Sequence, residues 1–360
     1  MKPLICFYQE DQYIYSDHYN IHSCKMETSV SDFLNSIEAD FKKELKIIQI
    51  NFEYNNFALF KNKKELYSSD KATVYVIHQH KILSSKQLIY KIPSTMTNLM
   101  HQFSTLEEKE SFIHKVEKIK KEIASGRIYQ VNLTAPLVSE TTHTPEKIFK
   151  NYFEKFNGHY KALLPLQNYD LICFSPELFL KKQQRNLKTQ PIKGSLSNKF
   201  NFEKELILSA KEEAELSMIV DLMRNDFNRI EQTTSAKVNF HRAAMKLNYI
   251  QHTYSEIEIE TDKNLVQILE ATLPGGSISG CPKIESLNVI AEFETYKRQA
   301  YAGTLGWWKN DDFCLNLTIR SFIKVKNQLF YHAGCGIVYD SVPENEWTEF
   351  ILKTGSLNVQ

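Results

Sequence analysis

Two glutamates one helical turn apart on an apolar stripe need a cation or a donor beside them, because burying their charge uncompensated is costly. The segment EKELILSAKEEAELSMIVDLMRND carries such a stripe: Leu208, Glu212, Glu215, Ile219 and Leu222. SVPENEWTEFILK repeats the spacing with Glu346 and Glu349, and Pro343 suits a first helical turn. Two helices that each offer ExxE can build an oxygen-rich Mg²⁺ site, since Mg²⁺ takes carboxylates together with water and substrate oxygens. A single ExxE pair is more often a solvated helix face. The apolar flanks of Glu212 and Glu215 argue against that for the first pair, whereas Glu346 and Glu349 have no such support of their own.

Other residues offer complementary chemistry. Lys193, in KTQPIKGSLSN, stands between a proline-set turn and a glycine. It is either a solvated turn residue or an amine held against a substrate. Glu177, in CFSPELFL, lies one strand and one turn upstream, so an acid and an amine on adjacent strand ends form a usable pair. LPGGSISGCPK, residues 273–283, is a glycine-rich loop leading into a helix that starts at Pro282, and its backbone N–H groups could receive an anion. Cys281 and Pro282 stand where a phosphate loop needs Lys and Ser/Thr, so a carboxylate is at least as plausible a guest. Arg320, in LNLTIRSF, could clamp a carboxylate, and Gly334 and Gly336 of HAGCGIV allow close backbone approach. His252 is a lone histidine, which is more often structural than catalytic. GxSxG, HExxH, a GxGxxG after a strand and the GxCxG amidotransferase elbow are all absent from the sequence.

These residues must be positioned by a large fold. The chain has 360 residues, 42% hydrophobic and 24% charged, which are globular values. Its 44 basic and 43 acidic side chains leave a net charge of +1, with no footprint for a nucleic-acid backbone. No stretch is apolar for long enough to suggest a membrane span or a signal peptide. Six cysteines without a CxxC pair predict buried free thiols in a reducing compartment, hence a cytoplasmic protein. The first 90 or so residues read as strands, and 91–104 as a connector. A helix follows, with Thr105 and Glu108 as a capping box, Phe112, Val116, Ile119 and Ile123 as its apolar stripe, and Gly126 as its end. RIYQVNLT then alternates, Tyr129, Val131 and Leu133 on one face and Gln130, Asn132 and Thr134 on the other. Helical patterns occupy roughly 203–224, 262–272, 282–293 and 343–355. Strands and helices come in blocks, which predicts an α+β fold.

Taken in order, GRIYQVNLT, FSPELFL, PIKGS, SAKEEAELSMIVDLMRND, the histidine of QHTYS, PGGSISGCPK, YAGTLGW, LTIR, AGCGIVYDS and ENEWTEFILK resemble the chorismate-utilising enzymes. That family includes anthranilate synthase component I, aminodeoxychorismate synthase component I, and the isochorismate and salicylate synthases. The resemblance runs from Thr105 nearly to the end of the sequence. It implies two large antiparallel sheets packed as a sandwich with helices outside, residues 1–100 being a reduced β-rich region and 101–360 the chorismate-binding catalytic region. Within the family, anthranilate and isochorismate synthases typically have alanine where Lys193 stands. The isochorismate and salicylate branches carry a lysine base where this chain has Gln130. PIKG together with YQVN therefore resembles the aminodeoxychorismate branch, which opens p-aminobenzoate and folate synthesis.

That resemblance implies roles. The Lys193 amine would add to C2 of the ring while Glu177 protonates the departing C4 hydroxyl. Ammonia would then attack C4 and expel the lysine. Glu215 and Glu349 would hold Mg²⁺, with Glu212 and Glu346 acting through water. Gln130, Gly194, Ser195, His252, Ser279, Tyr301, Arg320, Gly334 and Gly336 match positions lining the substrate site. Arg320 would hold the enolpyruvyl carboxylate and His252 would sit near C4. Ser195 and Ser279 replace the usual threonines, and the stretch between Lys193 and Glu215 is shorter than usual. With no amidotransferase elbow, nitrogen is expected from free ammonia or from a separate glutaminase subunit. With no lyase pattern in the sequence, the product is expected to stop before p-aminobenzoate. The rival readings are an anthranilate synthase component I and a non-catalytic chorismate-binding subunit.

Overall fold

A computed structural model describes the chain apart from residues 1, 26, 55, 93–98, 157, 198–209, 232–233, 247–249, 355–357 and 360; at 194–197, 210–212, 246, 250 and 358–359 it describes the backbone alone. The fold is α+β, an extensive antiparallel sheet system with helices. Two arms of one hydrogen-bonded network share the strand Gln12–Cys24. One arm runs through Leu4–Gln9, Tyr160–Pro165, Asp170–Ser175, Ser321–Val325, Gln328–Ile337 and Gln130–Glu140. The other runs through Ala72–Ser84, Leu45–Ile50, Thr304–Lys309, Asp312–Leu317, Leu178–Gln183, Asn186–Gln190 and Ile250–Glu260. The arms face each other: Trp307 Nε1 donates to Tyr8 O at 3.0 Å, and Asn316 Nδ2 to Cys173 Sγ at 3.3 Å. The sandwich expected from the sequence is thus two faces of a network that continues from one layer into the other.

Burial on both faces explains why these strands read as near-continuous apolar runs. Every residue of Leu45–Ile50 is buried. On Gln130–Glu140 both faces are covered as well, so Gln130 is buried with Val131 and Leu133, while Tyr129, just before the strand, is exposed. The N-terminal region is not made of strands alone. Val30–Asp40 is a helix capped by the Ser29 side chain, which accepts from Asp32 N–H, with Val30, Leu34 and Ile37 buried. The expected connector also contains structure, for the helix Ser85–Lys91 ends at its start and the strand Gln102–Thr105 begins within it.

Helices then hold the acidic residues in place. Lys109–Ala124 buries Phe112, Val116, Ile119 and Ile123, as its periodicity predicts, and Gly126 ends it at φ 79°. The capping box does not form: Thr105 closes a strand, and the cap residue Glu108 makes no side-chain cap bond. Phe112 meets Trp347 and Phe350, each with ring centroids 5.4 Å apart, which fixes Pro343–Leu352, the helix bearing Glu346 and Glu349. Ala210–Ile230 buries Leu216, Ile219, Val220, Met223, Phe227 and Ile230. Glu215 borders that face, partly exposed. All six cysteines are free thiols, five buried and Cys281 partly so. No helix among the described residues is long and apolar enough to cross a membrane.

Candidate active site

The Gln328–Ile337 strand pairs antiparallel with Gln130–Glu140, setting Gly334 against Thr134 and Gly336 against Asn132. The two glycines open a cavity of about 140 Å³, lined also by Glu177, Lys193, Glu215, His252, Tyr301, Arg320, Glu346 and Glu349. Residues far apart in the chain therefore converge on one space. Lys193 arrives on Ile192–Ser197, paired with Thr253 of the neighbouring strand, and His252 also lines the cavity; the Lys193 amine is held from the glycine-rich loop. Its Nζ donates to the Ser277 carbonyl at 3.3 Å. Burial pushes the Lys193 amine below its ordinary pKa, and Lys353 adds to that, against the opposing pull of Glu215, Glu177 and Glu349.

Glu177 sits at the turn between Asp170–Ser175 and Leu178–Gln183, 4% exposed, where its own N–H donates to Ser175 Oγ at 3.2 Å. Ser277 Oγ donates to Glu177 Oε1 at 2.6 Å. Burial pushes the Glu177 carboxyl up to about 7, and the Ser277 hydroxyl and the Lys193 charge only partly offset that. A carboxyl that keeps its proton to neutral pH beside an amine biased toward neutrality has the chemistry an acid–nucleophile pair needs. The glycine-rich loop thus meets the amine through a carbonyl and the acid through a hydroxyl, at Ser277. Ser279, the residue expected to line the site, is fully buried outside the cavity lining, its Oγ donating to Gly275 O at 2.8 Å.

Three of the four expected metal-binding carboxylates, Glu215, Glu346 and Glu349, line the cavity; the Glu212 side chain lies outside the described residues. Ligand atoms of Glu346, Glu349 and Cys335 fall within 4.8 Å of one another. Burial holds the Cys335 pKa well above the ordinary thiol range, and its Sγ donates to Glu346 O at 3.3 Å. The remaining donors are carboxylate oxygens from two helices, a set that suits a hard cation such as Mg²⁺. A cation already stands there: Lys353 Nζ lies 2.7 Å from Glu349 Oε1 and donates to Gly334 O at 2.8 Å. Burial disfavours the Lys353 charge, but Glu349 beside it outweighs that and holds the amine above the usual lysine range.

Arg320, at φ 51°, donates to the Lys353 carbonyl, which ties its guanidinium to the end of the acidic helix. Gln130 lies close behind the floor, since a Cβ built on Gly336 would stand 2.8 Å from its Nε2 and 3.5 Å from Lys193 Nζ. Gly194 and Ser195 continue the Lys193 strand, with only their backbone described. Lys353, Ser277, Asn132, Tyr331 and His332 also line the cavity and were not singled out from the sequence. Lys353 was legible as the i+4 partner of Glu349, and His332 as the residue two before Gly334 on the same strand face.

The sequence matches the family described as chorismate binding enzyme over residues 35–358. The chain belongs to that family. It is 38% identical over 253 residues to the aminodeoxychorismate synthase component 1 of Bacillus subtilis (strain 168), covering 68% of this chain and 54% of that protein. It is 32% identical over 285 residues to the anthranilate synthase component 1 of Lactococcus lactis subsp. lactis (strain IL1403), covering 76% and 62%. The chain spans little more than half the length of these curated relatives. In fold it is similar to anthranilate synthase component I from Streptococcus pneumoniae TIGR4, with a TM-score of 0.82 at 22% identity, over 98% of this chain and 91% of that one.

Proposed function

We propose that this chain is an aminodeoxychorismate synthase component I, converting chorismate and ammonia into 4-amino-4-deoxychorismate. The observation that carries the reading is the Lys193–Glu177 pair in one cavity with the carboxylates of Glu215, Glu346 and Glu349. A lysine of ordinary pKa ~10.4 is only about one part in a thousand neutral near pH 7.4, so a nucleophilic role needs the depression that burial supplies here.

The Lys193 amine adds to C2 of the chorismate ring and gives up a proton, both ring double bonds shift by one bond (C1=C2 to C1=C6 and C5=C6 to C4=C5), and the C4 oxygen leaves as water with the proton from Glu177. Ammonia then attacks C4, both double bonds return to their first positions, and the lysine nitrogen leaves from C2, taking up the proton that the new C4 amine gives up. Mg²⁺ on Glu215 and Glu349, with Glu212 and Glu346 acting through water, would neutralise and orient the ring carboxylate. Ser277 keeps the Glu177 carboxyl aimed and lowers its proton affinity enough for it to donate near neutrality. His252 stands beside the reacting carbon, and Arg320 attracts the other carboxylate. Ammonia comes from solution or from a separate glutaminase subunit.

Intact-protein mass spectrometry with chorismate and Mg²⁺, without ammonia, tests the covalent step. An adduct of chorismate less one water is expected on the unsubstituted protein, and none on Lys193→Ala. The same adduct on Lys193→Ala would remove Lys193 as the nucleophile.

A further inference from the structure

His332, Gly334 and Gly336 alternate onto one face of the Gln328–Ile337 strand, and all three line the cavity. The glycines leave that floor bare because the paired strand crowds it: a Cβ on Gly334 would lie 2.6 Å from Asn132 Oδ1. His332 is the side chain that stands up from it. The ring is 3% exposed and stacks on Tyr301, centroids 5.0 Å apart and planes 15° apart. Among the described residues, neither of its nitrogens has a hydrogen-bond partner. Buried polar groups are nearly always paired, so an imidazole with two open positions in a cavity wall marks a place where something else binds. Burial, with Arg298 nearby, pushes its pKa down to about 3, so the ring is neutral and offers one N–H donor and one acceptor.

The surroundings say which kind of group it meets. Arg320 lines the same cavity as His332 and, hydrogen-bonded to Tyr331, brings a fixed positive charge to it. Glu215, Glu346 and Glu349 would repel an anion unless a cation intervened. A dicarboxylate can therefore set one carboxylate toward the acidic residues through a cation and the other toward Arg320. We propose that His332 is a specificity-determining residue whose N–H donates to the substrate carboxylate attracted by Arg320, the one on the enolpyruvyl arm. This rests on the chorismate reading above. A neutral donor completes the pairing of that carboxylate without adding a charge beside Arg298 and Arg320.

The test compares His332→Phe, which keeps a ring against Tyr301 but has no N–H, with His332→Gln, which keeps an N–H donor. Equilibrium dialysis with Mg²⁺, each protein for this measurement also carrying Lys193→Ala so that no adduct forms, measures Kd for chorismate and for a ring analogue that retains the ring carboxylate and hydroxyls but lacks the enolpyruvyl arm. His332→Phe should weaken chorismate roughly 10- to 100-fold, the scale of a lost hydrogen bond to a charged group, and His332→Gln should recover most of it. The analogue should bind all three proteins alike. Turnover should show the loss in KM, with kcat changed by less than about threefold. Equal chorismate binding by His332→Phe and the unsubstituted protein overturns the proposal, as does a loss that falls equally on both ligands. Thermal unfolding checks both variants, and His332→Met replaces His332→Phe in the same comparison if the latter does not fold. An unsubstituted protein that binds neither ligand refutes the chorismate reading and this inference with it; chorismate binding indifferent to residue 332 refutes this inference alone.

Discussion

Replacing Gly336 with alanine should disable the site while leaving the fold intact. The new Cβ would stand 2.8 Å from Gln130 Nε2 and 3.5 Å from Lys193 Nζ. An ordinary separation is ~3.5 Å, so the Gln130 carboxamide must retreat by roughly 0.7 Å, and the methyl occupies the space beside the amine. Both neighbours are ends of flexible side chains, and Gly336 has no left-handed φ that alanine would strain. The folded state thus gives way cheaply, and alanine narrows the unfolded ensemble by roughly 0.4–1 kcal/mol in return. Thermal unfolding should therefore move by no more than a few degrees. Displacement of a reacting group by about 1 Å can cost about 100-fold, so kcat/KM for ammonia-driven turnover should fall roughly 10- to 100-fold. Gly306→Ala is the contrasting control, because its Cβ would meet the Cys314 backbone carbonyl at 1.9 Å and must disrupt the sheet. Gly336→Ala turning over within twofold of the unsubstituted protein would refute the placement of the reaction beside Lys193. Unfolding as severe as that of Gly306→Ala would instead refute the claim that Gln130 and Lys193 give way cheaply.

Further expectations concern protons, metal and the buried frame. Glu177 binds its proton more tightly folded, at about 7, than its ordinary value of 4.5, so the stability it contributes is complete below the usual carboxylate range and lost as pH rises through about 7. Chemical unfolding at several pH values should show the unsubstituted protein losing up to about 3 kcal/mol relative to Glu177→Gln across that window. Ser277→Ala removes a hydrogen bond that favours the ionised Glu177, so the alkaline fall of the pH–rate profile should move to higher pH. Glu349→Gln removes a carboxylate from the proposed cation site, and titration of activity with Mg²⁺ should require at least roughly tenfold more metal. Arg298 is fully buried, 2.6 Å from Glu294 Oε1 and donating at 2.6 Å to both Ile278 O and Asn132 O. Breaking such a pair typically costs about 3–5 kcal/mol, so Arg298→Ala should lower the urea midpoint sharply or fail to fold.

Much of the site was legible because its chemistry is unusual for its surroundings. Glu215 stood out as a carboxylate within an apolar helix pattern, and Lys193 as an amine next to glycine. Both line the cavity, as do Glu177, Arg320 and the Gly334–Gly336 pair. The acidic helix Pro343–Leu352 could be placed from its proline and spacing, but what anchors it, Phe112 against Trp347 and Phe350, is a tertiary contact that no local pattern carries. The exchange of Ser279 for Ser277 has a similar cause. Which hydroxyl of GGSIS faces the cavity depends on the one-turn 3₁₀ helix at Gly276–Ile278, whose short period cannot be read from five small residues. The missing capping box at Thr105 shows tertiary pairing overriding local propensity, since that residue pairs with Leu137 as the end of a strand. The Val30–Asp40 helix was hidden by its short apolar stripe among strand-like neighbours.

The central claim is the direction of the chemistry at C4, and product analysis tests it most directly. Purified protein given chorismate, Mg²⁺ and ammonium should consume chorismate and form 4-amino-4-deoxychorismate, identified by chromatography with mass spectrometry, without release of pyruvate. Formation of anthranilate with stoichiometric pyruvate by this chain alone would contradict the account.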